Sequence, residues 1–129
     1  GTSLASPMTA DTLAAADVAQ PYGAALPWPQ LPGARPSRAA GALVTMTDGC
    51  LVWHLERGLR TMSSWTHPEA VLRSAAKSLA AGLSQLDRRC VIVRINGSSV
   101  GELINDPVVE ALLSAGFVRT PRGISLYRS

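Results

Sequence analysis

The residues of this chain best suited to chemistry are its arginines. Eleven of the twelve basic side chains are Arg, and Lys77 is the single lysine. A guanidinium matches phosphate oxygens bidentately, so such a set points to phosphate contact. Arg57 and Arg60 flank a short Gly58-Leu59 turn, and Arg88, Arg89 and Arg94 bracket an apolar run. Arg119, Arg122 and Arg128 surround a Thr-Pro-Arg-Gly turn, and Arg35 and Arg38 flank a proline-rich arm. Gathered on one rim, Arg57, Arg60, Arg88, Arg89, Arg119 and Arg122 would follow the backbone of single-stranded DNA, helped by stacking on Trp or Tyr. The plainer alternative is a scattered, solvated set of the kind a GC-rich genome encodes. A net charge of +3 does not decide between them.

Chemistry on a base needs an acid or amide that activates water, inside a pocket that accepts a flipped nucleotide. Asp48 is accounted for by an Asp-Gly turn, Asp106 by a helix cap, and Glu102 and Glu110 by solvated surface. Glu56, beside Arg57 and Arg60, is the least explained carboxylate, and a structural ion pair is the ready reading. His54 falls on a strand and reads as a surface or satisfied polar residue. His67 falls at a helix start, where its charge would oppose the dipole, so a solvated neutral ring is expected. No second His or Cys stands at metal spacing to either. Cys50 and Cys90 read as reduced thiols of a cytosolic protein. The expectation is no catalytic residue and no metal in this chain.

The elements that must position these residues begin after residue 40. Six of the nine prolines lie before it, and Asp11 to Ala19 has room for one or two helical turns. Pro21 to Pro36 is expected to be extended and ordered only by burying anchors, namely Tyr22, Leu26 and Trp28. The surface beneath could be this domain, a preceding module or a neighbouring subunit. The spacing of Trp28 to the first strand points to this domain. Residues 1–40 thus read as a Pro/Ala-rich arm leading in from a preceding module. Residues 41–129 read as an α+β, barrel-like module.

From Gly41 the pattern has period two. Asp48-Gly49 between Ala42–Thr47 and Cys50–Arg57 signals a two-residue type I′ hairpin. That turn would set Thr47 opposite Cys50, Met46 opposite Leu51, Val44 opposite Trp53 and Ala42 opposite Leu55. The last three pairs would make one apolar core face. Thr45, Val52, His54 and Glu56 would lie on the other, half-polar face. A third strand is expected over Arg60–Trp65. Thr66-His67-Pro68-Glu69 fits a capping box for a helix with Leu72, Ala75, Ala76, Leu79, Leu83 and Leu86 on its buried stripe. Glu69 and Arg73 make an i,i+4 pair. Cys90–Ile95 reads as one strand ended by Asn96-Gly97. Asp106-Pro107 starts a second helix and Gly116 ends it. A closing hairpin turns at Thr120–Gly123. The expected fold is α+β in the order β-β-β-α-β-α-β-β: a curved, mainly antiparallel sheet or partial β-barrel covered by two helices.

Three segments, in this order and spacing, resemble the extreme C-terminus of the long Lhr (large helicase-related) ATP-dependent DNA helicases. They are Gln20-Pro21-Tyr22-Gly23-Ala24-Ala25-Leu26-Pro27-Trp28-Pro29; then Gly41–Val44 with Asp48-Gly49 and Glu56-Arg57-Gly58; and last Ile95-Asn96-Gly97 with Ala115-Gly116-Phe117 and Thr120–Gly123. The resemblance covers roughly residues 17 to 127. It implies a DNA repair helicase of a GC-rich bacterium, with this chain as an accessory C-terminal module for assembly and DNA engagement. The motor, with its ATP and magnesium, would lie outside the fragment. The implied partners are the rest of the helicase chain, further copies in a homo-oligomer and single-stranded DNA, in the cytoplasm and without a membrane. The same extension is similar to DNA glycosylases built of tandem winged helices, so a share in a glycosylase active site is the alternative. Ser37, Ala39 and Leu59 depart from the pattern: the family often has Gly and a basic residue at the first two, and Gly at the third.

Size and motifs set outer bounds. At 129 residues and 13.5 kDa the chain is one domain, too small for a helicase motor or a kinase. An apolar share of 47% and a mean hydropathy of +0.15 exclude disorder of the whole chain. No run of about 18 apolar residues suggests a membrane span, and no P-loop motif is present. Gly1 in place of Met reads as the scar of an excised fragment.

Overall fold

The Asp48-Gly49 hairpin organises the molecule, and both turn residues take the left-handed conformation a type I′ turn requires, with φ of 51° and 81°. The structure, a computed structural model, describes residues 9–31, 33 and 36–126. The hairpin strands are β2 (Leu43–Thr47) and β3 (Cys50–Leu55), followed by β4 (Thr61–Ser64). Next to the turn the expected pairs form, Thr47 with Cys50 and Met46 with Leu51. A bulge then intervenes, so Thr45 pairs with Trp53, Val44 with His54 and Leu43 with Leu55. Val52 is the extra residue. A bulge places two successive side chains on one side of a sheet, and Val52 and Trp53 both enter the main core.

That slip divides the single apolar face expected from alternation. Leu43, Trp53 and Leu55 join the main core under helix α1 (Glu69–Gln85), together with Leu72, Leu79 and Leu83. Ala42, Val44, Met46 and Leu51 face the opposite side and form a second cluster with Trp65. Trp53 therefore sits against the α1 side of the sheet and Val44 on the other. His54, expected as a surface or satisfied polar residue, is 1% exposed and bonds the Ser37 backbone through Nε2.

The segment Asp11–Ala19 is not helical. Ala10–Ala14 forms strand β1, antiparallel to β2 at the sheet edge. Tertiary contact overrides local propensity here. The Thr12 hydroxyl lies 2.9 Å from Thr45 Oγ1 and 3.0 Å from Ser78 Oγ of α1. Thr12 also fills the space left by Gly82, where an added Cβ would stand 3.2 Å from Thr12 Cβ.

Helix α1 starts later than the capping box implied. Pro68 occupies its N-cap position, and no side chain caps it. A residue before proline is held extended, which leaves Thr66 too far upstream. His67 is half-buried rather than freely solvated: its Nε2 lies 2.8 Å from the carbonyl of Leu51 and ties the helix start to β3. Arg73 and Glu69 pair at 2.7 Å as expected. Leu86 leaves the buried stripe and is 52% exposed, because the helix ends at Gln85 and Asp87 turns the chain with φ 53°.

Cys90–Ile95 is two short strands rather than one. β5 (Val91–Ile92) and β6 (Arg94–Ile95) join different sheets on either side of Val93. The Asn96-Gly97 turn leads to β7 (Ser98–Ser99) and a 3-10 turn at Val100–Glu102. Helix α2 (Pro107–Ser114) is capped by Asp106, which accepts from the amides of Val108 and Val109. Gly116, at φ 106°, releases the chain into β8 (Phe117–Thr120) and β9 (Gly123–Leu126). Among the described residues the strands form a six-stranded sheet, β1-β2-β3-β4-β6-β7, and a three-stranded sheet, β5-β9-β8. All pairs are antiparallel except β4 with β6. The fold is α+β, and its sheets do not close into a barrel. Leu59 explains its own departure from the family pattern: its φ of 59° suits glycine, yet its side chain is 1% exposed in the core.

Candidate nucleic-acid interface

The chain leaves α1 through Arg88 and Arg89 and enters β5 beside the β8–β9 hairpin. Between them lies a cleft of about 630 Å³ whose wall includes Arg88, Arg89, Val91, Pro121, Arg122 and Leu126. The hairpin side of this cleft is rigid. The Thr120 hydroxyl donates to the Gly123 carbonyl at 2.9 Å and accepts from the amides of Arg122 and Gly123, each at 3.2 Å. Gly123 lets the strand approach β5 closely, since a Cβ there would stand 2.3 Å from the Ile92 carbonyl oxygen. The backbone carrying Arg122 is thus held from both sides.

Arg122 also borders a second cleft of about 290 Å³, on the other side of the same turn, together with Arg119 and Val100. Arg119 spends its guanidinium on two carbonyls, those of Val100 at 3.1 Å and Leu103 at 2.7 Å. It ties the 3-10 turn to β8. Arg88 donates to the Gly41 carbonyl at 3.1 Å. Arg57 approaches the same glycine, its Cγ 3.4 Å from where a Cβ on Gly41 would stand. Arg60 is exposed, and its carbonyl accepts from Val93 and Arg94. Neither Arg57 nor Arg60 borders either cleft. The structure therefore groups Arg88, Arg89 and Arg122, with Arg119 behind the hairpin, Arg57 beside Arg88, and Arg60 apart. Arg35, Tyr127 and Arg128 lie outside the described residues.

Among the described residues no Asp or Glu borders either cleft. Glu56 is exposed near the end of β3. Among the described residues no group of three His, Cys, Asp or Glu could hold a metal ion, and no helix is long and apolar enough to cross a membrane. Cys90 is 3% exposed, its thiol directed to the Leu59 carbonyl. Burial pushes that thiol up to about 12, with Arg88 pulling weakly the other way.

The arm covers the second cluster. Tyr22 donates to the Gly49 carbonyl at 2.9 Å and accepts from the Leu51 amide at 3.2 Å, which fixes the arm to the hairpin turn. Trp28 stacks on Tyr22 with ring centroids 6.3 Å apart and meets His54 edge-on at 5.5 Å. Leu26, expected as the third anchor, is 43% exposed. A backbone turn pairs it with Tyr22 and leaves its side chain outside; Leu31 packs on the cluster instead. Two polar residues that composition did not single out hold the arm. Gln20 is fully buried and bonds the Ala15 carbonyl and both backbone groups of Tyr22. Arg38 donates to the carbonyls of Gln20, Tyr22 and Asp17 at 2.6, 2.9 and 3.0 Å. Their signal was slight: a glutamine and an arginine bracketing a proline-rich run.

His54 Nε2 lies 2.9 Å from the carbonyl oxygen of Ser37 and 3.2 Å from its amide. Among the described residues its Nδ1 has no hydrogen-bond partner. Burial pushes the imidazole below its ordinary value, and the Ser37 contact and the charge of Glu56 offset this only partly.

No family model matches the chain. Two curated proteins do. The "Lhr helicase/ probable uracil glycosylase" of Mycolicibacterium smegmatis is 48% identical over 120 residues, covering 88% of this chain. The "Lhr helicase/uracil glycosylase" of Escherichia coli is 34% identical over 115 residues, covering 87% of this chain. The chain spans only 8% and 7% of the length of these relatives. With 48% and 34% identity to them over nearly all its length, this chain belongs with the C-terminal region of the Lhr helicases.

Proposed function

We propose that this chain is an accessory module of an Lhr-type DNA repair helicase, serving assembly and engaging single-stranded DNA. The observation that carries the reading is the cleft bordered by Arg88, Arg89 and Arg122, with no Asp or Glu among the described residues of its wall. Cations grouped in this way attract a phosphate backbone and release its condensed ions on binding. In this reading ATP and magnesium belong to the motor elsewhere in the protein, the rest of the helicase chain is the first partner, and the cytoplasm is the place of action. Val18 and Ile104, 98% and 82% exposed, are apolar side chains available for contacts with that chain or with another copy. Self-association through them would be read as a mass above the monomer's in light scattering of the fragment, alone and joined to its preceding modules.

Salt-dependent binding to a fluorescent single strand tests the DNA part. Arg88→Ala and Arg122→Ala should each weaken binding and lower the salt slope by about 0.7 to 1. Arg60→Ala, away from the cleft, should change neither. Unchanged slopes for both cleft variants would leave the arginines as ordinary surface.

The relatives' names favour a second reading, a share in a uracil glycosylase site. A water-activating acid or amide would then have to come from outside the two clefts. Release of uracil from a single strand by this chain alone would support it.

A further inference from the structure

The larger cleft is lined by apolar and cationic side chains together. Val91, Pro121 and Leu126 border it beside Cys90, while Arg88, Arg89 and Arg122 stand around it. A surface that only tracks phosphates needs the cations and not the apolar lining. The volume of about 630 Å³ falls in the range of roughly 300–1,000 Å³ typical of sites that enclose a small molecule. One wall is held by the Thr120 hydroxyl and the Gly123–Ile92 approach described above, so the cavity exists before anything binds.

We infer that this cleft takes an unstacked base of single-stranded DNA, with the arginines holding the phosphates on either side of that nucleotide. The inference rests on the DNA-binding reading of the same site and adds what fills it. Charge complementarity selects the occupant: apolar lining residues interspersed with three arginines fit a flat ring carried on an anionic backbone. A base in a duplex is stacked and paired, and entering such a cleft would cost its unstacking. The cleft thus favours single strands over duplexes without reading sequence, because hydrophobic contact with a ring face is common to all bases.

The test compares two fluorescent strands of about 12 nucleotides, oligo-dT and an oligomer of the same length made of abasic sugar-phosphate units. The unaltered chain should bind oligo-dT about tenfold more tightly, the scale of one or two base contacts. Ser84 lines the cleft and is exposed on α1, so Ser84→Leu narrows the cleft without entering the core. It should abolish the preference for oligo-dT and leave the salt slope intact. Leu126→Ser, which makes the apolar lining polar, should also reduce the preference for oligo-dT, with circular dichroism confirming its fold. Equal affinity for the two strands, with a slope that still falls in Arg88→Ala, would overturn the base site and leave the DNA reading standing. A slope insensitive to Arg88→Ala and Arg122→Ala would remove both. An oligo-rU strand that binds more tightly than oligo-dT would overturn the assignment to DNA.

Discussion

Arg38 donates to the carbonyl of Gln20 at 2.6 Å, the shortest of three hydrogen bonds from one guanidinium to the backbone of the arm. The two residues lie at opposite ends of the proline-rich segment and close it into a loop over the second core cluster. Arg38→Ala should cost roughly 1.5–3 kcal/mol, the scale of hydrogen bonds made by a charged donor. Limited proteolysis should then cut within residues 21–36 much faster than in the parent chain. Protection equal to the parent would mean that Tyr22 and Trp28 hold the arm without the clasp.

Trp53 lies in the main core on the bulged strand, fully buried, and among the described residues its indole N–H has no hydrogen-bond partner. Trp53→Ala should destabilise by about 3–5 kcal/mol. Trp53→Phe should cost far less, since it keeps most of the ring and removes an unsatisfied polar group. Urea denaturation measures both. A loss under about 1 kcal/mol for Trp53→Ala would contradict the placement of the side chain.

His54 should make stability depend on pH. Its folded value lies below the unfolded one, so the unfolded chain binds the proton more readily. The contribution is fully present above about pH 6.5 and is lost as pH falls through the lower folded value. About 1.4 kcal/mol per pH unit is the ceiling on that loss, reached only where the two states differ by one whole proton. Denaturation midpoints between pH 7.5 and 5 read it, and His54→Gln should flatten the curve. A variant that retains the parent slope would assign the effect to another group.

The two cysteines should separate cleanly. Cys50 is exposed beside the hairpin turn, whereas Cys90 is buried with its thiol held protonated. At pH 8 a small disulfide reagent should modify one thiol per native chain within minutes and the second only as the chain unfolds. Mass spectrometry of the labelled peptide identifies which. Rapid labelling of both would show that the junction of α1 and β5 opens readily.

Much of this molecule was legible because its signals are local. Asp48-Gly49 and Asn96-Gly97 need positive φ at both residues, a demand set within four residues of chain. Asp106 caps α2 through amides two and three residues away, and the stripe from Leu72 to Leu83 follows from helical spacing. The Tyr22 to Trp28 run was legible too, as a segment that must bury its rings somewhere. Alternation could not reveal the bulge at Val52, because one inserted residue leaves the composition unchanged while moving every later side chain to the other face. Nor could propensity foresee β1, whose reason is the space Gly82 leaves for Thr12. Cys90–Ile95 reads as one strand by pattern and is split because β9 and β4 claim its two halves. The grouping of Arg89 with Arg122, and the burial of Gln20 under Arg38, were decided only by tertiary structure. A guanidinium or an amide carries its chemistry in its sequence, but the distance to its partner exists only once the sheets have closed on the helices.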